Sequence, residues 1–132
     1  MNSPISTPEA RFAPLEFASA LRVEGIGPGF FRLGTYLLRG PVLISPWGAR
    51  PWGGLADTEG PLTLAGRIDV LIFGGGQDIA IAPAAFREAL EAAGMGLEPM
   101  SSLSAARVFN QLLSEGRRVA MLALPLPIQP CQ

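Results

Sequence analysis

The apolar positions of the chain change their rhythm near residue 67. Before it they come in short runs, each broken within a few residues by glycine or proline. Residues 21–26 alternate weakly and predict a first strand, followed by a turn at Gly25, Gly27, Pro28 and Gly29. Residues 30–33 and 35–38, split by Gly34, predict a hairpin, and residues 42–44 a further strand closed by Pro46. After it the runs lengthen. Ile68, Val70, Leu71, Ile72 and Phe73 are almost unbroken, the pattern of a strand covered on both faces. Gly74, Gly75 and Gly76 stop it. Residues 79–81 predict a short extended piece ending at Pro83. Phe86, Ala89, Leu90 and Ala93 then recur at helical spacing, which predicts a helix over 83–93 ended by Gly94. Residues 96–100 read as a short strand. Ser102 or Ser104 is the expected N-cap of the next helix, over 104–115. Ala105, Val108, Phe109, Leu112 and Leu113 form its expected buried face, and Gly116 its end. Residues 119–124 are the last apolar strand.

This order predicts right-handed β-α-β crossovers. The strand at 68–73 should lie in parallel between those at 96–100 and 119–124. The antiparallel first half should either extend that sheet or form a second β layer. The expected fold is therefore α/β: one domain over 15–125 with a mixed central sheet, a mobile arm over 1–14 and a proline-rich tail over 126–132 that frays. A chain of 132 residues is long enough to bury a core, and 48% hydrophobic against 16% charged residues excludes a disordered chain.

Charge and residue types remove most chemistries. The net charge of −1 gives no footprint for nucleic acid or an anionic membrane. The basic residues are all arginine, so histidine bases, histidine metal ligands and lysine nucleophiles are absent together. The lone Cys131 allows no internal disulfide or thiolate metal cage. No catalytic residue, metal or cofactor is expected. No apolar run approaches the ~20 residues that span a bilayer, and no signal segment is visible, so a bacterial cytoplasmic protein is expected.

Two stretches remain as candidate sites. Residues 45–54 read as a loop holding both tryptophans, Trp47 and Trp52, with Arg50 between them. They are candidates for a partner surface; equally, either indole could cap the core. Gly74, Gly75, Gly76 and Gln77 suggest a dinucleotide loop but lack the full glycine spacing, and no helix opens directly from them. A tight turn against a neighbouring loop is the expected role. A ligand cleft formed by these four residues with Arg50, Arg107 and Asn110 is the alternative, since arginine and asparagine can hold a carboxylate or phosphate. Asp69 stands at the wet end of its strand or pairs with Arg67 or Arg118.

Arg50-Pro51-Trp52, the strand ending in the three glycines, and the segment from Met100 to Arg118 occur in an order that resembles one family. In the last segment the matching residues are Met100, Ala105, Arg107, Asn110, Leu112, Glu115, Gly116, Arg117, Arg118 and Val119. The chain is similar, over about residues 21–124, to the small proteins of unknown function that include the mitochondrial complex I assembly factor three. Ser101-Ser102 and Val108-Phe109 stand where relatives carry Asp-Thr and Thr-Tyr, and Gly75 where they carry threonine. The resemblance implies a compact three-layer α/β fold, no established enzymatic activity, and a non-catalytic role as a partner in respiratory-complex assembly. Two functions follow as expectations. The first is a non-enzymatic interaction protein that docks onto a membrane-associated assembly. The second is a small-ligand protein or enzyme using the glycine-loop cleft.

Overall fold

Side-chain alternation along three neighbouring strands gives the central sheet two apolar faces. In the computed structural model, which describes residues 14–128, these strands are β5 (Val42–Ser45), β7 (Val70–Gly74) and β9 (Val119–Ala123). Val42, Ile44, Ile72, Val119, Met121 and Ala123 join one buried cluster; Leu43, Leu71, Phe73, Ala120 and Leu122 join another. Adjacent residues thus take opposite faces, and both faces are dry.

The sheet has six strands. Its spatial order is β1 (Leu15–Glu16), β6 (Gly48–Pro51), β5, β9, β7 and β8 (Leu97–Met100). β7 runs parallel to both β8 and β9, while β5, β6 and β1 continue from β9 as antiparallel neighbours. β2 (Val23–Gly27), β3 (Phe30–Leu33) and β4 (Tyr36–Arg39) make a separate antiparallel sheet. Three helices complete the described part: α1 (Glu59–Leu62), α2 (Ala84–Ala92) and α3 (Ser102–Ser114). The small sheet and α3 cover the first face, through Phe31, Leu33, Leu38 and Phe109. The other face is covered by α2, through Phe86 and Leu90, and by Trp52, Leu64 and Ile68 of the connecting segments. The result is a mixed α/β domain with the central sheet between two layers. Pro99 lies on the edge strand β8, where a missing N–H costs the sheet least.

The parallel centre has the expected neighbours. The first half does both things the sequence allowed: β5, β6 and β1 widen the central sheet, and β2 to β4 form the second layer. Several local expectations are corrected. Residues 45–54 are not simply a loop, because Gly48–Pro51 is β6, paired with β5 from Ser45↔Gly48 to Val42↔Pro51. Ser45 closes the link, its Oγ accepting from Trp47 N at 3.2 Å and donating to Gly48 O at 3.3 Å. Residues 79–81 form no strand, and Ile79 and Ile81 are exposed. β7 starts at Val70, so Asp69 lies just outside it, bonded to Arg118 at 2.7 Å.

The last helix also differs. Its N-cap is Ser101, whose Oγ accepts from Ser104 N at 3.2 Å. Its buried face is Ser102, Ala105, Ala106 and Phe109, while Val108 is exposed and Leu112 and Leu113 are half-buried. Small residues on that face let the helix axis lie close to the sheet, and this turns Val108 outward. On α2, Arg87 donates from Nε to Ala82 O at 3.1 Å. The arm expected over 1–14, apart from exposed Pro14, and the end of the tail with Cys131 lie outside the described residues. The described part of the tail stays engaged: Leu126 bridges Pro28, and Gly29 N donates to Leu126 O at 2.9 Å. Among the described residues no helix is long and apolar enough to cross a membrane.

Candidate functional site

The glycine turn sits where β7 meets the start of α3. A Cβ on Gly74 would lie 2.9 Å from both Cα and Oγ of Ser102, so only glycine permits this approach. Gly76 has a φ of +99°, as expected for a turn that needs glycine. Ser102 is fully buried. Its Oγ accepts from Gly76 N at 2.9 Å and donates to Leu124 O at 2.5 Å. Ser102 N donates to Gly76 O, and Gly75 N to Met100 O, each at 2.8 Å; Leu124 N donates to Gly74 O at 2.9 Å. A phosphate cradle needs such amides free and a helix N-terminus aimed at the ligand. Here the amides of Gly75, Gly76 and Ser102 are all held by the fold. Gln77 is exposed and lines a shallow groove with Pro28, Leu126 and Pro127.

The two tryptophans have opposite surroundings. Trp52 is 3% exposed. Its ring meets Phe73 and Phe86 at centroid distances of 6.1 and 5.9 Å, and its Nε1 donates to Asp57 O at 2.9 Å. Asp57 in turn accepts from Gly53 N at 2.9 Å and Gly60 N at 3.0 Å. Those amides, Gly60 foremost, hold its carboxyl below the usual carboxylate range. Trp52 is therefore a core residue with a polar clasp, and its indole is not available to a partner. Trp47, by contrast, is 37% exposed, and the Arg67 guanidinium lies 4.3 Å from its ring centroid. Together with exposed Arg50, these side chains line an open groove of about 410 Å³ whose walls include Glu16, Phe17 and Leu64. Arg67 joins this group across the fold. The sequence offered Arg67 only as a partner for Asp69, because no local period links residues 47 and 67.

Arg107 and Asn110 belong to a different place. Asn110 clamps α3 to β2: its Oδ1 accepts from Val23 N and its Nδ2 donates to Val23 O, each at 2.8 Å. Arg107 is exposed, and both residues line a groove of about 470 Å³ opposite Arg22. The cleft expected from Gly74, Gly75, Gly76, Gln77, Arg50, Arg107 and Asn110 is thus distributed over a closed turn and separate grooves. Among the described residues no three His, Cys, Asp or Glu side chains gather as a metal site.

Comparison with known proteins places this geometry. The chain belongs to the family described as "Protein of unknown function (DUF498/DUF598)", whose sequence pattern matches residues 23–124. An uncharacterised protein of Rhodobacter capsulatus is 50% identical over 117 residues, covering 87% of this chain and 94% of that protein. A crystal structure of a Bartonella henselae protein, described as an outer membrane protein, is 28% identical with a TM-score of 0.75, covering 83% of this chain and 98% of that one. The solution structure of a Bordetella pertussis protein, described as a Mth938-like domain, is 23% identical with a TM-score of 0.68, covering 86% and 90%. It shares the fold.

Proposed function

We propose that this member of the family is a non-enzymatic partner-binding protein of the bacterial cytoplasm, acting in the assembly of a larger membrane-associated complex, with Trp47, Arg50 and Arg67 on its docking face. One observation carries this reading: a large indole left 37% exposed, with a guanidinium stacked on it. Tryptophan and arginine are the types most enriched at binding hot spots. Pro46 stands in the turn and the β5–β6 pairing from Ser45↔Gly48 to Val42↔Pro51 stiffens it, so little conformational freedom is lost when a partner docks. The resemblance to the family that includes complex I assembly factor three supports the assembly role. The consumed amides of the glycine turn weigh against a nucleotide-binding enzyme.

The test is affinity capture of the tagged full-length chain from its own cells, with Trp47→Ala in parallel. The variant should keep the parent melting temperature and lose the partner. Acrylamide quenching of the parent should report one accessible indole. Capture of the same partners at full yield by Trp47→Ala, or unfolding of that variant, would overturn the assignment of this face. A thermal shift of several degrees with any nucleotide at millimolar concentration would return the ligand-binding reading.

A further inference from the structure

A second groove has a chemistry that the Trp47 face does not have. Along α3, Arg107, Asn110, Gln111 and Ser114 stand at i, i+3, i+4 and i+7, so they share one stripe of the helix. All four line the same groove of about 470 Å³, and Arg22 lines it from the segment that leads into β2. The groove's shape is held from behind. Asn110 spends its carbonyl and one amide hydrogen on both backbone groups of Val23, and that fixes the residue next to Arg22 against the helix. Ser114 Oγ donates to Gln111 O at 2.7 Å, and Gln111 Nε2 donates to Glu115 at 2.7 Å, so the neutral side chains are largely satisfied within the helix.

The arginines are not. Among the described residues the ion pairs are Arg32 with Glu24 and Arg118 with Asp69. Arg22 and Arg107 have no carboxylate within ion-pairing distance there. Both guanidiniums are exposed beside one groove, and each presents a planar fork suited to a carboxylate.

We infer that this groove takes the carboxylates of an acidic segment of a protein partner, one engaged by Arg22 and another by Arg107. The groove is open rather than enclosed, which suits a segment of a partner chain better than a small molecule, most of whose surface a dedicated pocket would bury. The overall charge of −1 gives no wider basic field for nucleic acid or an anionic membrane, so the attraction is local to this groove. The kind of ligand rests on the partner-binding reading above; the place does not, since it shares no residue with the Trp47 groove.

The test is an NMR titration of the isolated full chain with an N-acetylated hexaglutamate amide, hexaglutamine amide serving as the neutral probe. The side-chain Nε–Hε signals of Arg22 and Arg107 should move saturably with hexaglutamate only, and the effect should weaken as salt is raised. Arg22→Gln and Arg107→Gln should each weaken binding roughly two- to fivefold, as expected for exposed ion pairs, and the double exchange by ~tenfold. Arg39→Gln should change nothing. Unsaturable shifts, or shifts of equal size at Arg39 and Arg117, would overturn the proposal. So would tighter binding of inorganic phosphate or of a thymidine oligonucleotide than of hexaglutamate at these two signals. The titration needs no partner, so its failure leaves Trp47-dependent capture intact, and a failure of that capture leaves the titration intact.

Discussion

The glycine turn at the end of β7 and the hairpin of β5 and β6 are the two stretches in which the sequence advertises a site, and the fold treats them in opposite ways. At the turn, hydrogen-bonding groups point inward: Gly74 O, Gly75 N, Gly76 N and Gly76 O all meet protein partners. At the hairpin, Trp52 is turned into the core while Trp47 and Arg50 stay on the surface beside Arg67. Small residues at the turn allow two elements to close on each other, which removes the space a ligand would need. Trp47, at the tip of a two-residue link, stacks on the exposed Arg67 side chain and leaves part of its ring in solvent. Closure and exposure here follow from side-chain volume against the room left by the neighbouring layer.

The strongest way to break this comparison is within the hairpin itself. Trp52→Ala should destabilise by about 3–5 kcal/mol, as for any large core truncation. Equal and small effects of Trp52→Ala and Trp47→Ala in denaturant melts would mean that the two indoles do not differ. At the turn, Gly74→Ala forces a methyl against Ser102 and should cost about 1–3 kcal/mol. Ser102→Ala leaves Gly76 N and Leu124 O without their shared partner and should cost a similar ~1–3 kcal/mol. A neutral outcome for both would show that the turn is looser than its contacts imply.

Asp57 sharpens the hairpin side. Its carboxyl is lowered, chiefly by the Gly60 and Gly53 amides. The stability it contributes is present above the unfolded carboxylate value, about 3.9, and is lost as pH falls through the lower folded value. In that window the unfolded chain binds more protons, so stability rises with pH. Asp57→Asn keeps one acceptor where two are used and should cost about 1 kcal/mol at neutral pH. The gap to the parent should close below roughly pH 4 in thermal melts across pH. The smallest effect belongs to Trp47→Ala, within about 0.5 kcal/mol of the parent; a loss above that would place the indole in the fold rather than at its surface.

Much of the architecture is written in local pattern. The unbroken apolar run before Gly74, the short apolar run of β5 and the helical spacing around Phe86 and Phe109 are short-range signals, and each element formed close to where its pattern indicated. Such patterns record how much of an element is buried, and burial is the main force that shapes it. The chain alone also allowed a choice of partner for Asp69 and two arrangements for the first half. Tertiary structure decided those, because each depends on residues brought together from distant parts of the chain: Arg118 reaches Asp69, and α3 covers the first face beside the small sheet. The site was the least legible part. Whether an indole is core or surface, whether a glycine amide is free or spent, and which groove an arginine lines are set by the neighbours across 20 to 90 residues of chain, as with Arg67 over Trp47 and Asn110 on Val23. A residue type carries its chemistry in the sequence, but its solvent exposure and its hydrogen-bond partners exist only once the layers have packed.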